Sequence, residues 1–405
     1  MRGIHFRTIQ LLIALAVCLT AKAQIYAPFP SAAQSDTLLR ISLLTAAPGA
    51  EIYQLEGHTG LRMQYDGNDV VANWGLFDFS APNFVYRFVK GETDYMAGLW
   101  PFERFIMEYM AEGRRVTEQE LNLTPEQARR LIGMVEQTVR PENRVYRYNY
   151  VLDNCATRPI AYIERAVGDS IHFSQPATQL SADESFRSVM RHFHSAYPWY
   201  QFGIDMALGS GIDYPITVRQ TGFAPVVLEQ IATHATIGDS LPLVKSTVVL
   251  YQGNPGGVVL LPTPWYLTPD AVFWTIAAIA IMACAIALRR KKPCKWLTAI
   301  WFASMGIAGS IISFLVFVSV HEATSPNWLI LWLNPLCLIV PVSIWWSKAQ
   351  RLVHYYMTAN ILLIILYIIT WAFGSQSANP AFAPMLLTDI ILTLTYLKLT
   401  RESYY

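Results

Sequence analysis

A segment in the middle of the chain, which we call the junction because a predicted strand meets a predicted helix there, reads Tyr148-Asn149-Tyr150-Val151-Leu152-Asp153-Asn154-Cys155-Ala156-Thr157-Arg158. From Tyr146 to Leu152, aromatic and apolar residues alternate with polar ones, which predicts a strand. Asp153 and Asn154 are favoured residues for capping a helix, and the apolar residues beyond them recur at helical spacing. Cys155 is therefore predicted to lie at the start of a helix, where backbone amides favour a thiolate.

Composition indicates a chain that is partly soluble and partly membrane-bound. Of its 405 residues, 53% are hydrophobic, which is more than a wholly soluble protein usually carries. The net charge is only +1, so a nucleic-acid partner has no electrostatic support.

The N-terminus has the pattern of an export signal. Arg2 and Arg7 precede an apolar run over 9–19, and Ala21-Lys22-Ala23 gives an A-x-A cleavage site. We expect a signal peptide over 1–23 and a mature chain that starts at Gln24, with an uncleaved anchor as the alternative. The segment 24–269 is mixed in composition and long enough for one large domain.

Five apolar runs follow Pro269, each of spanning or near-spanning length, since a bilayer core needs roughly 20 helical residues. They cover about 271–288, 296–320, 328–346, 357–373 and 382–399. The segment 270–405 is therefore predicted to be an all-α bundle of five transmembrane helices.

The distribution of Lys and Arg sets the orientation of these helices. The loops over 321–327 and 374–381 contain neither residue, whereas the other loops and the tail are basic: Arg289, Arg290, Lys291, Lys292, Lys295, Lys348, Arg351, Lys398 and Arg401. The positive-inside rule places the basic loops in the cytoplasm. The domain before the helices is then outside it, in agreement with the export signal.

Outside the cytoplasm cysteines often form disulfides, so the predicted location affects how the cysteines are interpreted. Cys284, Cys294 and Cys337 lie in or beside the membrane runs, so Cys155 has no disulfide partner in the exported domain. Two alternatives remain at this point: a buried, inert cysteine that behaves as a small hydrophobic residue, and a nucleophile.

A nucleophilic cysteine needs a base, and the candidate is His58. It opens a predicted hairpin, with a turn at Asp66-Gly67-Asn68-Asp69, and has Gly57 and Gly60 beside it. Glycines let backbone or ligand approach a ring closely. The alternative is a histidine that merely fills a strand end.

The other histidines are weaker candidates. They fall in polar or loop-like stretches without flanking glycines: His172, His192, His194 and His234. His192 and His194 could suggest a metal pair, but no further ligand cluster accompanies them. We therefore predict neither a metal nor a cofactor.

Four short segments, together with the export signal and the apolar runs, carry a resemblance to a known family: Gly57-His58-Thr59-Gly60, Asn73-Trp74-Gly75-Leu76-Phe77-Asp78-Phe79, Glu112-Gly113-Arg114 and Asp153-Asn154-Cys155-Ala156-Thr157-Arg158. They resemble the Lnb family, which comprises lipoprotein N-acyltransferases of Bacteroides-type bacteria. The resemblance covers nearly the whole chain and is most specific around His58 and Cys155.

A wider similarity implies the fold and the roles of the residues. A histidine on a strand followed by Asn-Cys at a helix start resembles permuted papain-like folds such as NlpC/P60 relatives and lecithin:retinol acyltransferase. That resemblance implies an α+β periplasmic domain with Cys155 as nucleophile and His58 as base. Asn73, on the paired strand, is our candidate for the group that orients His58.

The resemblance implies acyl transfer between two amphiphiles. Cys155 would take an acyl chain from a membrane phospholipid, and the α-amine of a diacylated lipoprotein would accept it from the thioester. Asn154 and Arg158 are our candidates for oxyanion or substrate binding. Arg158 could neutralise a lipid phosphate, or it could simply pair with Asp153.

Two other classes of function are alternatives for the same sequence. A membrane-tethered NlpC/P60-like amidase acting on cell-wall peptide would need Cys155 and His58 but no bundle of five helices. A non-catalytic membrane scaffold would need neither residue. In each case we expect a multi-pass protein of the bacterial inner membrane with its N-terminal domain in the periplasm.

Overall fold

The computed structural model of the chain describes residues 39–168, 170–174, 184–254 and 262–401. The expected signal peptide over 1–23 lies outside these ranges. The described residues form an α+β domain followed by a helical membrane region.

The described part of the α+β domain contains ten strands: β1 Arg40–Ala46, β2 His58–Tyr65, β3 Asn68–Leu76, β4 Asp94–Pro101, β5 Val116–Leu121, β6 Val145–Arg147, β7 Ile171–His172, β8 Thr236–Ile237, β9 Leu241–Pro242 and β10 Val244–Tyr251. Seven of them form a central antiparallel sheet in the order β10-β5-β1-β2-β3-β4-β6. Strands β7, β8 and β9 form a small second sheet.

The predicted hairpin is confirmed as the pair β2 and β3. Its turn residues Asp66 and Gly67 have φ of 48° and 80°, the left-handed backbone that a two-residue hairpin loop of this kind requires. Gly60 lies opposite Asn73 in the resulting register. Because side chains alternate along a strand, the hairpin fixes which residues of β2 and β3 share a face.

Eight α-helices accompany the sheet within the described part of the domain. They are α1 Phe84–Lys90, α2 Phe102–Ala111, α3 Pro125–Thr138, α4 Thr157–Val167, α5 Phe186–His194, α6 Pro198–Ala207, α7 Val218–Thr221 and α8 Pro225–Thr233. One face of the sheet packs on α3, α4, α5 and α8 through the larger core, which includes Leu61 and Trp74. The other face packs on α2 through a smaller core, which includes Val71 and Phe105.

Four helices of the described residues are long and apolar enough to cross a membrane. They correspond to the first, second, fourth and fifth predicted runs. With the short α11, Ile339–Ser343, the helices of this region are α9 Pro269–Arg290, α10 Lys295–Phe317, α12 Gln350–Ala372 and α13 Phe382–Thr400.

The third run, 328–346, is not the continuous spanning helix that we expected. It is broken into 3₁₀ turns at Trp328–Leu331 and Pro335–Leu338, which are followed by α11. Pro335 cannot extend a preceding helix, and the Asn334 side chain accepts from the Leu336 N–H, which starts a new turn. A Cβ on Gly309 of α10 would lie 2.4 Å from the backbone N of Asn334, so the broken segment packs directly against α10.

The broken segment still connects the two ends of the helix bundle. At one end, Asn327 Nδ2 donates to the Met206 carbonyl of the α+β domain at 2.9 Å. At the other, the ring of Trp345 lies 4.6 Å from that of Trp296 at the start of α10. The chain therefore follows the path of a fifth span in an irregular form.

The α+β domain rests on the ends of the helices that lack Lys and Arg. Arg191 Nη1 donates to Ser377 Oγ at 2.7 Å, and Asn379 Nδ2 donates to Asp205 Oδ2 at 2.8 Å. Ser210 N donates to the Pro326 carbonyl at 2.8 Å. Both loops that were predicted to lie outside the cytoplasm thus contact the domain, in agreement with the orientation predicted from the charges.

Candidate active site

Asn154 shapes the backbone around Cys155. Its Oδ1 accepts from the N–H groups of Ala156 at 2.8 Å and Thr157 at 2.9 Å, which caps the first turn of α4. Its Nδ2 donates to the carbonyls of Tyr150 at 2.7 Å and Phe223 at 2.9 Å. All four hydrogen bonds that an amide side chain can make are used, so Asn154 has no donor left for an oxyanion, contrary to our expectation.

The Cys155 thiol is buried against the start of β2, with 8% of the residue exposed. Burial raises the pKa of the thiol to about 11, because an apolar environment disfavours the thiolate. Hydrogen bonds from the backbone N–H of Thr59 and the hydroxyl of Tyr148 lower the pKa of the thiol. The backbone amides therefore act in the predicted direction, but burial outweighs them and the thiol stays protonated near neutral pH in the resting structure.

His58 and Asn73 are diagonal neighbours on the same face of the hairpin. His58 Nε2 lies 3.1 Å from Asn73 Oδ1, as the register of β2 and β3 dictates. An amide oxygen only accepts, so Nε2 carries the ring proton and Nδ1 remains as the basic nitrogen. Burial lowers the pKa of His58 to about 4, and the ring is neutral near neutral pH.

The surroundings of His58 keep its ring in place and disfavour a positive charge on it. The ring of Tyr109 stacks on it with centroids 6.1 Å apart. The guanidinium of Arg114 lies 4.8 Å from the Tyr109 ring and contributes to the lowered pKa of His58. Arg114 belongs to a motif that we noted in the sequence without giving it a role. Its Nη2 is buried and has no hydrogen-bond partner among the described residues.

His58 and Cys155 both lie at the end of the sheet where β2 begins. The ring of His58 lies on the face covered by α2, whereas α4, which follows Cys155, packs on the other face. Thr59, whose amide contacts the sulfur, follows His58 directly in the chain. In the described part of the chain no hydrogen bond joins the ring to the thiol. Such catalytic contacts are often loose without substrate.

Gly75 makes the close approach of Cys155 and Tyr148 to β3 feasible. It lies at a bulge between Asn73 and Leu76 and has a φ of 87°. A Cβ at this position would lie 3.2 Å from Cε2 of Tyr148 and 3.9 Å from Cβ of Cys155. The glycine in the Asn73-Trp74-Gly75 motif is therefore required by both backbone conformation and space.

We expect Gly75→Ala to lower the activity of the protein by about 10²-fold, because displacing reacting groups by ~1 Å has effects of that size. The backbone strain should also cost about 1 kcal/mol of stability. Gly67→Ala is the matched control: its φ of 80° is equally unfavourable, but no atom lies within 4 Å of the added Cβ. Activity assays and thermal unfolding of both variants separate the two effects. Equal losses of activity in both would contradict a special role for Gly75.

A hydrogen-bonded set of three residues, to which we assigned no role from the sequence, supports the junction: Glu56, His194 and Gln201. Glu56 Oε1 accepts from the hydroxyl of Tyr150 and lies 2.9 Å from His194 Nε2. His194 is fully buried at the end of α5, not in a loop-like stretch as we expected, and its Nδ1 lies 2.8 Å from Gln201 Oε1. Glu56 thereby ties the start of the hairpin to the turn between β6, which ends at Arg147 and not at Leu152 as we expected, and α4. The position of Glu56 directly before Gly57 and His58 is the only local feature of the sequence that could have indicated this role.

Arg158 has the simpler of the two roles considered. It pairs with Asp153 through both oxygens, at 2.5 and 2.6 Å, and lies over the ring of Tyr146 at 3.5 Å. It lines a surface cavity of about 370 Å³ together with Arg165 and Arg219, and Cys155 is not part of that lining. The structure therefore does not place Arg158 at the thiol.

The junction lies directly on the outer ends of the membrane helices. Asn149 Nδ2 donates to Glu322 Oε2 in the loop after α10 at 3.3 Å. Gly209 N donates to the Ala323 carbonyl of the same loop at 2.8 Å. Within the described ranges, no group of three His, Cys, Asp or Glu residues is placed to hold a metal ion.

Two family models match the chain, one for each half of the structure. The model of the Lnb N-terminal periplasmic domain matches residues 31–185, and the model of the Lnb transmembrane domain matches residues 262–403. No curated protein and no solved structure matches the chain significantly. The two matches include the candidate site residues and all the predicted membrane runs.

Proposed function

The chain belongs to the Lnb family, and we propose that it is a lipoprotein N-acyltransferase of the bacterial inner membrane. In this proposal an acyl chain passes from a phospholipid to Cys155 and then to the α-amine of a diacylated lipoprotein. The family places the α+β domain in the periplasm and the helical region in a membrane. The acyl transfer, its substrates and its residues are our proposal.

One observation supports this function best: a buried, unpaired thiol and an oriented, neutral histidine lie at the level where the domain meets the membrane helices. Cys155 is a free thiol, and His58 has Asn73 to fix its tautomer. A phospholipid ester and a lipoprotein amine both lie at headgroup level. The site can therefore receive both without drawing either into water.

In the first half-reaction, the Cys155 sulfur attacks the ester carbonyl carbon while Nδ1 of His58 takes the thiol proton. We propose that binding of the ester brings the His58 ring and the Cys155 sulfur within hydrogen-bond distance of each other. The carbon–oxygen bond to the glycerol then breaks, and His58 returns the proton to the departing lysophospholipid hydroxyl. The products are a thioester on Cys155 and a lysophospholipid.

In the second half-reaction, the lipoprotein α-amine attacks the thioester carbonyl. His58 takes a proton from the amine, the carbon–sulfur bond breaks, and the proton passes to the sulfur. An amide is formed on the lipoprotein, and the free thiol is restored. No oxidant, metal or nucleotide is needed for either step.

Two donors beside the sulfur are suited to hold the oxyanion of both tetrahedral intermediates. They are the backbone N–H of Thr59 and the hydroxyl of Tyr148, which contact the sulfur in the resting structure. Fixed donors of this kind contribute most when the site is dry, and Cys155 is buried. We propose these two groups in place of Asn154.

Mass spectrometry of lipoprotein N-termini tests the function in cells. We expect lipoproteins to carry one more acyl chain when the wild-type gene is present than when it is deleted. Unchanged lipoproteins together with altered cell-wall muropeptides would favour the amidase. Full function of a Cys155→Ala variant would favour the scaffold.

We expect Asn73→Ala to slow acyl transfer by about tenfold to 10²-fold, because the His58 ring loses the partner that fixes its tautomer and angle. Asn73→Asp keeps an acceptor for Nε2 and should retain more activity. Its carboxylate should also raise the pKa of His58 and thereby shift the acid limb of the rate–pH profile to higher pH. Rate–pH profiles of the three proteins check this. An unchanged acid limb in Asn73→Asp would contradict the positioning role.

The two half-reactions should depend differently on pH. Acylation of Cys155 requires neutral His58, whose pKa is about 4, so its rate should fall only as the pH drops through that value. Transfer to the lipoprotein should instead rise with pH through about 7.7–8.0 as the α-amine loses its proton. Single-turnover rates of each step check both limbs. An acid limb of acylation near 6.5, the ordinary value for histidine, would contradict the neutral buried base.

A further inference from the structure

A row of five aromatic rings leads from the membrane region to the thiol. We call Phe88, Phe84, Phe77, Tyr95 and Tyr148 the aromatic row. Successive ring centroids lie 5.9, 5.8, 5.2 and 4.5 Å apart. The hydroxyl of Tyr148, the last member, contacts the sulfur of Cys155.

The outer end of the row lies beside the end of a membrane helix. Helix α1, which carries Phe84 and Phe88, is held by the segment after α10: His321 Nε2 lies 2.9 Å from the Phe88 carbonyl. The ring of Tyr86 also lies 6.1 Å from that of Phe314 in α10. The row therefore begins at the depth where α10 leaves the bilayer.

The apolar surface of α1 is not covered by protein. None of its residues is buried, and Val85 and Phe88 are 72% and 47% exposed. Phe317, at the end of α10, is 76% exposed as well. A continuous apolar surface of this kind indicates contact with a lipid or a partner. Because α1 continues the lipid-facing surface of α10, we take its occupant to be the outer leaflet of the bilayer.

The row is also separate from the packed interior. In the described residues, none of its five rings belongs to the hydrophobic cores of the sheet or of the membrane helices. Phe77 and Phe84 are only half-buried. A half-buried line of rings that is open to the bilayer at one end and reaches a nucleophile at the other has the form of a binding track for an apolar chain.

We propose that the acyl chain of the donor phospholipid lies along the aromatic row, with α1 immersed in the outer leaflet and the ester at Cys155. The proposal rests on the acyl-transfer function and names the path by which its substrate reaches the site. Transfer of a chain from the bilayer onto aromatic rings exchanges one apolar environment for another, so it has little free-energy cost.

Photo-crosslinking tests the path without any need for catalysis. The full-length Cys155→Ala protein is placed in nanodiscs containing phosphatidylethanolamine with a diazirine on one acyl chain, and labelled peptides are mapped by mass spectrometry. We expect labels on the segments that carry Phe77 and Tyr95, in addition to background labels on membrane helices. Labels confined to the membrane helices and α1 would overturn the proposal. Neither result depends on whether the protein transfers acyl chains.

Donor chain length gives a second, kinetic test. We expect Phe77→Ala and Phe84→Ala to slow acylation by long-chain donors by about tenfold, since each truncation removes apolar contact with the chain. Acylation by short-chain donors, which do not reach these rings, should be unchanged. Phe373→Ala, which removes an exposed ring at the same end of the helix bundle, is the matched control.

A purely structural role of the rings predicts a different result. It would lower the rates with long and short donors equally, and that outcome would overturn the proposal. Phe77→Leu, which keeps most of the apolar volume, replaces Phe77→Ala if the latter does not fold. A wild-type protein that acylates no lipoprotein would contradict the proposed function but would leave the crosslinking result to decide the path.

Discussion

Cys155→Ala should reduce lipoprotein N-acylation by about 10⁴-fold or more, because removal of a covalent nucleophile leaves only residual binding effects. The protein should still fold, since the change removes a single buried sulfur and Asn154 continues to cap α4 through Ala156 and Thr157. The measurement is the mass of lipoprotein N-termini in a deletion strain that carries the variant.

Cys294→Ala provides the matched control for this prediction. Cys294 is a free, partly exposed thiol that precedes α10 at the opposite end of the helix bundle. Its loss should leave lipoprotein N-acylation unchanged. Comparable activity of Cys155→Ala and wild type, at equal protein levels in the membrane, would exclude Cys155 as the nucleophile.

His58→Gln should slow both half-reactions by about 10³-fold, within the range that general acid–base catalysis contributes. Glutamine retains a polar side chain at the start of β2 but cannot exchange a proton with the thiol or the amine. Single-turnover formation of the acyl-enzyme and its transfer to a diacylated lipopeptide measure the two steps separately.

His234→Gln is the control for the histidine prediction, because His234 is exposed at the end of α8. It should behave as wild type in both steps. Acylation by His58→Gln within a few-fold of wild type would show that another group accepts the thiol proton. In that case His194, held by Glu56 beneath the junction, would be the next histidine to replace.

The features that depend on nearby residues could be predicted from the sequence. The turn Asp66-Gly67 specifies the hairpin, and the hairpin register alone brings Asn73 to His58. The alternative in which Arg158 pairs with Asp153 is equally local, since the two are five residues apart. Helix lengths in the membrane region follow from hydrophobic runs in the same way.

The third membrane run, 328–346, was predicted as one helix, although the sequence contains residues that argue against it. Its hydrophobicity suggested one helix, but Asn334-Pro335 and Pro341 lie inside it, and such residues interrupt helices. The packing that stabilises the irregular path, between Asn334 and Gly309 of α10, is a tertiary contact. That contact could not be predicted from one sequence.

The chemistry of the thiol depended on burial, which a local pattern does not specify. The start of α4 suggested a favoured thiolate, yet enclosure by β2, β3 and the junction raises the pKa of Cys155 to about 11. Tyr148 stands seven residues before Cys155, and only the fold shows that its hydroxyl contacts the sulfur. His194 reaches Glu56 across 138 positions in the chain, so no spacing rule could have linked them.

If Cys155 carries the acyl chain as we propose, the mass of the intact protein changes during the reaction. Purified full-length protein is incubated with phospholipid in the absence of any lipoprotein and then analysed by mass spectrometry with peptide mapping. We predict a mass increase of one acyl chain, located on Cys155 and lost when a diacylated lipopeptide is added. An unmodified Cys155 in a preparation that N-acylates the lipopeptide, or an acyl chain on a different residue, would contradict the account.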